Sequence, residues 1–207
     1  MHNILITQKI LIDKHDQINW SLEDNWFKFF SKKKVNLIPI NSNINNKKKL
    51  LAFKPKGLIL SGGNDLYNIV KLKENLIRDN YEKEILKLTI KNKIPILAVC
   101  RGFQFVAKFF RCKISKTINH VRATHALKIN NKFFGSKIKI LKVNSYHNYA
   151  VSQLPKHFNL IIRYSDNSIE IAKSNKYNIL SFMFHPERRN VSQKKIDKIV
   201  FSHFKIR

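Results

Sequence analysis

A cysteine, Cys100, ends a short apolar run that begins at Ile94, with Ala98 two residues before it and Gly102 two residues after it. Small residues are needed at these two positions where a strand turns sharply into a helix, because bulky neighbours do not fit the bend. A turn of this kind presents a thiol for nucleophilic attack. A cysteine after an apolar run is also compatible with an inert core residue, so the rest of the chain must distinguish the two.

A histidine and a glutamate flank Pro186 at the end of the last apolar run of the chain. A carboxylate so close to an imidazole can hold the ring and favour its protonated form, and the imidazole can accept the proton of a nearby thiol. Cys100, His185 and Glu187 are therefore a candidate catalytic triad. The His-x-Glu spacing is weak evidence by itself, and its force comes from its place after a predicted strand.

Two adjacent glycines, Gly62 and Gly63, directly follow the apolar run Gly57–Leu60, in a chain that contains only 5 glycines. This indicates a backbone that approaches another group closely or adopts a positive φ, with a plain turn as the alternative. Functional residues gather at the carboxyl ends of the strands of a parallel sheet. We therefore expect the glycine pair to lie near Cys100 and His185.

Hydrophobic periodicity predicts alternating strands and helices in the first half of the chain. The predicted strands are Ile4–Thr7, Val35–Ile40, Gly57–Leu60 and the run ending at Cys100; the predicted helices are Ser21–Ser31, a short piece after the polar connection Asn41–Lys49, Lys71–Lys91 and Phe103–Phe110. After Cys112 the pattern predicts short strands at Lys128–Asn130, Lys137–Val143, Leu160–Arg163, Ile169–Ala172 and Ile179–Phe184, and a closing helix at Val191–Phe204.

The predicted fold class is therefore α/β. We expect a three-layer sandwich with a mainly parallel central sheet, helices on both faces, and a smaller mixed or antiparallel C-terminal extension. With 207 residues, of which 43% are hydrophobic, the chain is long enough for one sizeable core and short for two. A single domain over residues 1–207 is expected, and the sequence is compatible with a homodimer without setting an oligomeric state.

Several features favour a cytoplasmic protein. No apolar run is as long as a membrane span, and the N-terminus lacks the pattern of a signal peptide. The two cysteines, Cys100 and Cys112, form no metal-binding spacing and make a poor disulfide framework, which suits a reducing compartment. We therefore expect neither a membrane partner nor a disulfide.

The formal net charge of +27 has two interpretations. It could serve a polyanionic partner, or it could reflect the heavy use of lysine and asparagine on solvated surfaces, as in Asn43–Lys49. The sequence contains no recognisable nucleic-acid-binding motif, so we expect no nucleic-acid partner. A milder hypothesis is that positive charge near the pocket favours a small substrate that carries phosphate.

Four motifs together resemble those of class I glutamine amidotransferases, and more narrowly their γ-glutamyl hydrolase branch, the peptidase C26 group. They are Leu-Ile-Leu-Ser-Gly-Gly-Asn-Asp, Pro-Ile-Leu-Ala-Val-Cys-Arg-Gly-Phe-Gln, Val-Asn-Ser-Tyr-His-Asn and Phe-His-Pro-Glu. The resemblance covers essentially the whole chain. Within this branch the motifs look closest to those of hydrolases that act on γ-glutamyl-CDP-amidate in the phosphoramidate modification of bacterial capsules. Ala98 and Phe184 depart from the glycine and tryptophan frequent in the family, which leaves the substrate more open than the chemistry.

The resemblance implies a mechanism that needs no cofactor and no metal. Cys100 would attack the γ-carbonyl carbon of a glutamyl amide while His185, oriented by Glu187, moves the proton to the departing nitrogen. The backbone N–H groups of Gly63 and Arg101 would form an oxyanion hole, in which one donor is typically worth about 10²–10³ in rate. Water would then hydrolyse the glutamyl thioester and release glutamate.

The resemblance also implies a set of substrate contacts. It places Gln104 and the Ser-Tyr-His segment beside the glutamyl group, His147 towards the leaving group, and Arg78 opposite an acidic substrate group. The predicted contacts are Gly62, Asn64, Arg78, Gln104, Ser145, Tyr146 and His147. Each of three residues also has a purely structural interpretation. Gln104 could be a polar helix residue, His147 a hydrogen-bonded core histidine, and Arg78 part of a solvated helix face. His120 and His125 sit where relatives also carry histidines, without an evident chemical role.

The expected partner is a small γ-glutamyl amide, with a nucleotide-linked one favoured. A γ-glutamyl-γ-aminobutyrate hydrolase of polyamine catabolism is the nearest alternative, followed by the glutaminase component of an amidotransferase. Outside enzymes, the alternatives are an inactive binding protein and a basic nucleic-acid binder. The complete Cys100, His185 and Glu187 set argues against the first of these, and the absence of recognition motifs argues against the second.

Overall fold

The strands and helices of the protein come from a computed structural model that describes residues 2–42, 47–129 and 139–206. The helices are α1 (Asn25–Phe30), α2 (Lys47–Ala52), α3 (Lys73–Lys91), α4 (Arg101–Phe109) and α5 (Gln193–Phe204). The strands are β1 (His2–Thr7), β2 (Lys9–Ile12), β3 (Ile18–Ser21), β4 (Val35–Ile40), β5 (Gly57–Leu60), β6 (Ile96–Val99), β7 (Ile114–Lys116), β8 (Val121–Lys128), β9 (Ile140–Tyr146), β10 (Tyr149–Val151), β11 (Leu160–Arg163), β12 (Ile169–Ser174) and β13 (Ile179–Phe182).

The main sheet has the strand order β4-β1-β5-β6-β13-β12-β10-β7, and β11 pairs with β12. The first strands of this order, from β4 to β13, are parallel. The pairs beyond β13 are antiparallel. The carboxyl ends of β1, β5, β6 and β13 consequently open on the same edge of the sheet, where functional groups of α/β proteins are usually found.

Alternate residues of the central strands enter two separate hydrophobic cores, as expected for a sheet buried on both faces. Ile4, Ile59 and Leu97 pack on one side with residues of α1 and α5, and the β8–β9 hairpin adds to the same core. Leu5, Leu58 and Ile96 pack on the other side with residues of α2, α3 and α4. The predicted three-layer α/β sandwich with an antiparallel extension is confirmed.

The strands at Val35–Ile40, Gly57–Leu60 and Leu160–Arg163 have the predicted bounds. The predicted helix Ser21–Ser31 is wrong in its first turn, because Ser21 pairs with Lys9 in the β2–β3 hairpin and the helix begins only at Asn25. The hairpin was not predicted. Its turn is held by the Asp13 carboxylate, which accepts hydrogen bonds from the backbone N–H groups of His15 and Gln17.

The strand predicted at Lys128–Asn130 lies earlier, at Val121–Lys128, and Asn130 is outside the described residues. It pairs antiparallel with β9, which extends past the predicted Val143 to Tyr146; residues 137 and 138 of that prediction are also outside the described part. Part of the polar connection Asn41–Lys49, residues 43–46, is undescribed as well. None of the helices within the described ranges is long and apolar enough to cross a lipid bilayer.

Candidate active site

Cys100 occupies a sharp turn between β6 and α4, with φ 51° and ψ −107°. This backbone conformation is strained for a residue with a side chain, and such strain persists where the surrounding structure enforces it. A Cβ atom on Gly102 would lie 2.1 Å from the carbonyl oxygen of Leu60, so only glycine fits there. The small residues flanking Cys100 therefore allow β5 and the turn to pack closely, as a nucleophile elbow requires.

His185 follows β13, and its Nδ1 atom lies 2.6 Å from the Oε1 atom of Glu187. Cys100 acts electrostatically on the same imidazole. Burial by itself would lower the pKa of His185, but the charges of Glu187 and Cys100 and the hydrogen bond to Glu187 raise it to about 10. The structure thus brings the predicted triad together in the order thiol, imidazole, carboxylate, which favours an imidazolium beside a nucleophilic sulfur.

Asn144 and Asn190 hold the backbone of His185 in place. The Asn144 amide donates to the His185 carbonyl oxygen at 2.8 Å and accepts from the His185 N–H at 2.9 Å. The Asn190 amide donates to the same carbonyl oxygen at 3.0 Å. Neither asparagine was predicted as a site residue, although Asn144 is part of the Asn-Ser-Tyr-His-Asn motif.

The glycine pair lies against the imidazole of the triad. A Cβ atom on Gly62 would be 2.7 Å from the Cε1 atom of His185, and Gly63 has a φ of +80°. The absence of a side chain at Gly62 therefore lets the loop touch the His185 ring, and the positive φ at Gly63 suits glycine. The expected proximity of the Gly62–Gly63 loop to the triad is confirmed.

Arg78 does not face a substrate, which corrects the prediction made for it. Its guanidinium group is fully buried and donates to the carbonyl oxygens of Ser61 at 2.8 Å and Gly62 at 3.2 Å, and to that of Gly63. Because the C=O and N–H groups of a trans peptide point in opposite directions, the N–H of Gly63 is directed away from Arg78. Arg78 is thus a positioning residue for the loop that carries the predicted oxyanion donor.

A buried charge network joins α3 to the first turn of α4. The Arg101 guanidinium contacts the carboxylates of Asp79 and Glu82, and Arg78 Nε donates to Glu82 Oε1 at 2.9 Å. Lys108 Nζ lies 2.7 Å from Asp79 Oδ2. Burial lowers the pKa of Arg78 to about 9, which keeps this guanidinium charged at neutral pH. The Arg101 side chain is occupied here, and its backbone N–H stays among the unpaired donors at the start of a helix.

Two further residues predicted to contact substrate, Asn64 and Gln104, form hydrogen bonds with backbone groups of the protein. The Asn64 side chain accepts from the Ile10 N–H and donates to the Ile10 carbonyl oxygen, both at 2.8 Å. Asn64 therefore ties the β2–β3 hairpin to the glycine loop, and its contact with substrate stays a prediction. Gln104 is buried and donates to the Tyr149 carbonyl oxygen at 2.7 Å, which supports β10 and leaves its role towards substrate a prediction.

The Ser145, Tyr146 and His147 side chains at the end of β9 point to different places. The Ser145 hydroxyl is buried and donates to the His120 carbonyl oxygen at 2.6 Å, so a substrate contact by Ser145 remains a prediction. The Tyr146 ring meets the His185 ring edge-on, with centroids 6.2 Å apart, and carries the Arg188 guanidinium on its face. His147 is buried and packs against another group, with its Nε2 atom 3.4 Å from Oε1 of the buried Glu170. The proposed leaving-group contact of His147 is therefore corrected.

A cleft of about 250 Å³ reaches His185 and the glycine loop from the side of the β2–β3 hairpin. Arg188 spans its rim and holds Glu23 through hydrogen bonds of 3.1, 3.1 and 2.9 Å. The cleft is lined by Lys9, Ser21, Leu22, Glu23, Trp26, Ser61, Gly62, Gly63, His185, Glu187 and Arg188. Lys9 and Ser21 were missed because the hairpin itself was not predicted, and Glu23 was missed because it lay within the predicted helix Ser21–Ser31.

His147, the other histidine for which a role was predicted, lies in a second cluster of polar side chains. His147 meets His120, His125 and Glu170 there, and all four side chains are buried. The sequence indicated no metal-ligand spacing, and these residues come from three separated segments. Among the described residues, this cluster and the group Glu23, His185 and Glu187 have ligand atoms close enough together to hold a metal ion.

The elbow at Cys100 and the buried His185–Glu187 pair lie together at the carboxyl edge of the parallel part of the sheet, which defines an α/β protein with a candidate thiol site at that edge. A family model described as glutamine amidotransferase class-I matches residues 10–204. The chain belongs to this family, and the resemblance inferred from the four motifs is confirmed.

Individual proteins similar to this chain include two enzymes related in sequence and one solved structure. The chain is 34% identical over 195 residues to a γ-glutamyl-CDP-amidate hydrolase of Campylobacter jejuni, covering 89% of this chain and 90% of the relative. It is 30% identical over 141 residues to a glutamine-hydrolysing GMP synthase component of Pyrococcus furiosus, covering 67% of this chain and 70% of the relative. Among solved structures, a protein from Thermoplasma acidophilum described as a GMP synthase component matches with a TM-score of 0.71 at 20% identity, over 99% of this chain and 92% of the other.

Proposed function

We propose that this protein is a cysteine-dependent hydrolase of γ-glutamyl amides, with γ-glutamyl-CDP-amidate as its substrate and glutamate and cytidine diphosphoramidate as products. The observation that carries the chemistry is the placement of Cys100 on a strained elbow whose charge acts on His185, together with the His185 Nδ1 atom 2.6 Å from Glu187 Oε1. The product would supply phosphoramidate for capsule modification. We assign the reaction to the cytoplasm, where a thiol stays reduced.

The first half of the reaction forms a thioester. The Cys100 sulfur attacks the γ-carbonyl carbon, and the carbonyl oxygen takes up negative charge that the backbone N–H groups of Arg101 and Gly63 stabilise. His185 then donates its proton to the departing nitrogen as the C–N bond breaks. Arg78 supports this step indirectly, because its hydrogen bonds to the loop carbonyls hold the Gly63 peptide in the required direction.

The second half of the reaction reverses the proton transfer. Neutral His185 accepts a proton from water, the hydroxide oxygen attacks the thioester carbon, and the C–S bond breaks to restore Cys100 and release glutamate. Glu187 stays charged throughout and stabilises the imidazolium that forms in each half.

The assignment of a nucleotide leaving group draws on the relative from Campylobacter jejuni and on the charges of the cleft. Lys9 and Arg188 line the cleft beside His185. Within the described residues Lys9 has no hydrogen-bond or ion-pair partner for its side chain, so its ammonium group is available to a ligand. A diphosphate is the part of the proposed substrate that such a cation would bind.

A direct test compares glutamate release from γ-glutamyl-CDP-amidate, γ-glutamyl-γ-aminobutyrate and free glutamine under the same conditions. We expect the largest kcat/KM for the nucleotide substrate, because it is the one that can use the cationic cleft. Comparable kcat/KM values for all three would contradict the nucleotide assignment while leaving γ-glutamyl hydrolysis in place. Hydrolysis of none of them would contradict the proposed function.

Replacing Lys9 with methionine should raise KM for γ-glutamyl-CDP-amidate about tenfold, which corresponds to about 1.4 kcal/mol of lost binding. Methionine keeps the apolar stem that packs beside Gly63, where a Cβ would lie 3.2 Å from Lys9 Cδ, and removes only the charge. The kcat/KM for γ-glutamyl-γ-aminobutyrate should change less than about twofold, because that substrate carries no phosphate.

Lys91→Met is the matched control for this experiment. Lys91 is exposed in the last turn of α3, at the edge of the sheet opposite Cys100. The control removes the same charge from the chain without touching the cleft. An equal rise in KM for Lys9→Met and Lys91→Met would assign the effect to net charge and contradict a phosphate contact by Lys9.

A second candidate is the glutaminase component of an amidotransferase, which the similarity to the glutamine-hydrolysing GMP synthase component of Pyrococcus furiosus favours. This function predicts that free glutamine is hydrolysed efficiently only when a synthetase partner is added. It also predicts no preference for a nucleotide-linked amide. The substrate comparison, repeated with glutamine and the synthetase component of a GMP synthase, therefore separates the two candidates.

A further inference from the structure

Three histidines and a glutamate form a buried cluster that the proposed reaction does not use. His120 precedes β8, His125 lies within it, His147 follows β9, and Glu170 lies in β12. Their exposed fractions are 4%, 1%, 3% and 0%. The ligand atoms that they offer all lie within 4.8 Å of one another.

The cluster leaves polar atoms without satisfactory hydrogen bonds. Both ring nitrogens of His125 and of His147, the Nδ1 atom of His120, and both carboxylate oxygens of Glu170 are buried with no hydrogen-bond partner within the described residues. Such atoms are rare in folded proteins, because a buried polar group that loses its contact with water costs about 1–3 kcal/mol unless another group replaces it. A bound cation would satisfy several of them at once.

Two separations within the cluster are close to those of a metal coordination shell. Oε1 of Glu170 lies 3.1 Å from Nδ1 of His125 and 3.4 Å from Nε2 of His147. Ligands at about 2.0–2.1 Å from a tetrahedral Zn²⁺ are about 3.3–3.4 Å apart. The two contacts of Glu170 are thus about as long as two edges of that tetrahedron. They do not have the geometry of hydrogen bonds.

His120 has the outer contact that is typical of a metal-binding histidine. Its Nε2 atom lies 2.8 Å from Oδ2 of Asp166, so the opposite nitrogen, Nδ1, is the unpartnered one. A histidine that binds a metal through one nitrogen usually donates its other N–H to a carboxylate, which fixes the ring and its tautomer. Asp166 supplies that carboxylate.

We propose that His120, His125, His147 and Glu170 bind one structural Zn²⁺ ion. Imidazole nitrogens favour zinc over Mg²⁺ and Ca²⁺, which prefer oxygen ligands. Four buried protein ligands complete a tetrahedral shell and leave no position for a substrate, so the site is structural. The ion ties the β8–β9 hairpin to β12 of the main sheet.

The untagged full-length protein, purified without chelators, should contain about one Zn²⁺ per chain by elemental analysis. After removal of the metal with a chelator, added Zn²⁺ should raise the melting temperature by about 5 °C or more. Added Co²⁺ should give the visible absorption of a tetrahedral site. A protein with no bound metal, whose melting temperature does not respond to Zn²⁺, would overturn the proposal.

Glu170→Gln and His125→Asn should reduce the bound Zn²⁺ to below about 0.1 per chain in the fraction that folds. His157→Gln is the matched control, because the Nε2 atom of His157 is also buried without a partner among the described residues but its ring packs between Phe110 and Tyr177. Zinc lost equally from the control would overturn the assignment to these four ligands. If neither ligand variant folds, the Co²⁺ absorption of the wild-type protein decides the question.

Discussion

Replacing Cys100 with alanine should reduce glutamate release from γ-glutamyl-CDP-amidate by about 10⁴-fold or more, because the variant has no atom that can form the thioester. The residual rate would come from the oxyanion donors and from substrate binding alone. Cys100 is buried in the elbow, and alanine removes only its sulfur, so the variant should keep the wild-type circular dichroism spectrum. Steady-state glutamate release measures the effect.

The second cysteine provides a matched control for this prediction. Cys112 follows α4, is partly buried, and burial raises its thiol pKa. Cys112→Ala should keep kcat within about twofold of wild type, because its thiol lies outside the elbow. Retention of most of the activity in Cys100→Ala, or an equal loss in Cys112→Ala, would be incompatible with Cys100 as the nucleophile.

Replacing Glu82 with glutamine should lower the free energy of unfolding by about 3–5 kcal/mol. Glu82 is fully buried and contacts the guanidinium groups of both Arg78 and Arg101. The amide has almost the same shape as the carboxylate but no charge, so it takes away the anion that contacts both buried guanidinium groups, and Asp79 still pairs with Arg101. Urea unfolding followed by circular dichroism measures the change, provided that the transition is two-state.

Glu84→Gln tests the same substitution two residues along α3. The Glu84 side chain is partly exposed and pairs with Lys87 at 3.1 Å, and a surface pair of this kind contributes about 0–1 kcal/mol. We expect Glu84→Gln to change the free energy of unfolding by less than about 1 kcal/mol. Similar losses for the two variants would show that the buried network stabilises the fold no more than a surface ion pair does.

The candidate triad and the proximity of its residues could be predicted from the sequence because each signal is local. An apolar run that ends at Cys100 between small residues predicts an elbow, and a run that ends at His-Pro-Glu predicts a second functional strand end. The rule that parallel strands share one carboxyl edge then brings these residues together. The structure agrees, with Cys100 after β6 and His185 after β13, two adjacent strands of the sheet.

The partners of the other site residues could not be predicted, because they are distant in the chain. Asn64 bonds to Ile10 across 54 residues, and Asn144 bonds to His185 across 41 residues. The hairpin containing Lys9 was missed because the aromatic residues after it follow a helical period, and the strand pairing of Lys9 with Ser21 overrides that preference.

The sequence by itself determined the alternation of parallel strands and helices around Cys100, and it predicted the chemistry proposed there, since both depend on spacing along the chain. Only the tertiary structure decided what Arg78 and His147 do, because a polar side chain takes its role from the groups that surround it when it is buried. Arg78 enters the core and holds the glycine loop, and His147 turns towards Glu170 and two other histidines. Burial removes water as a partner, so these side chains had to find partners within the fold.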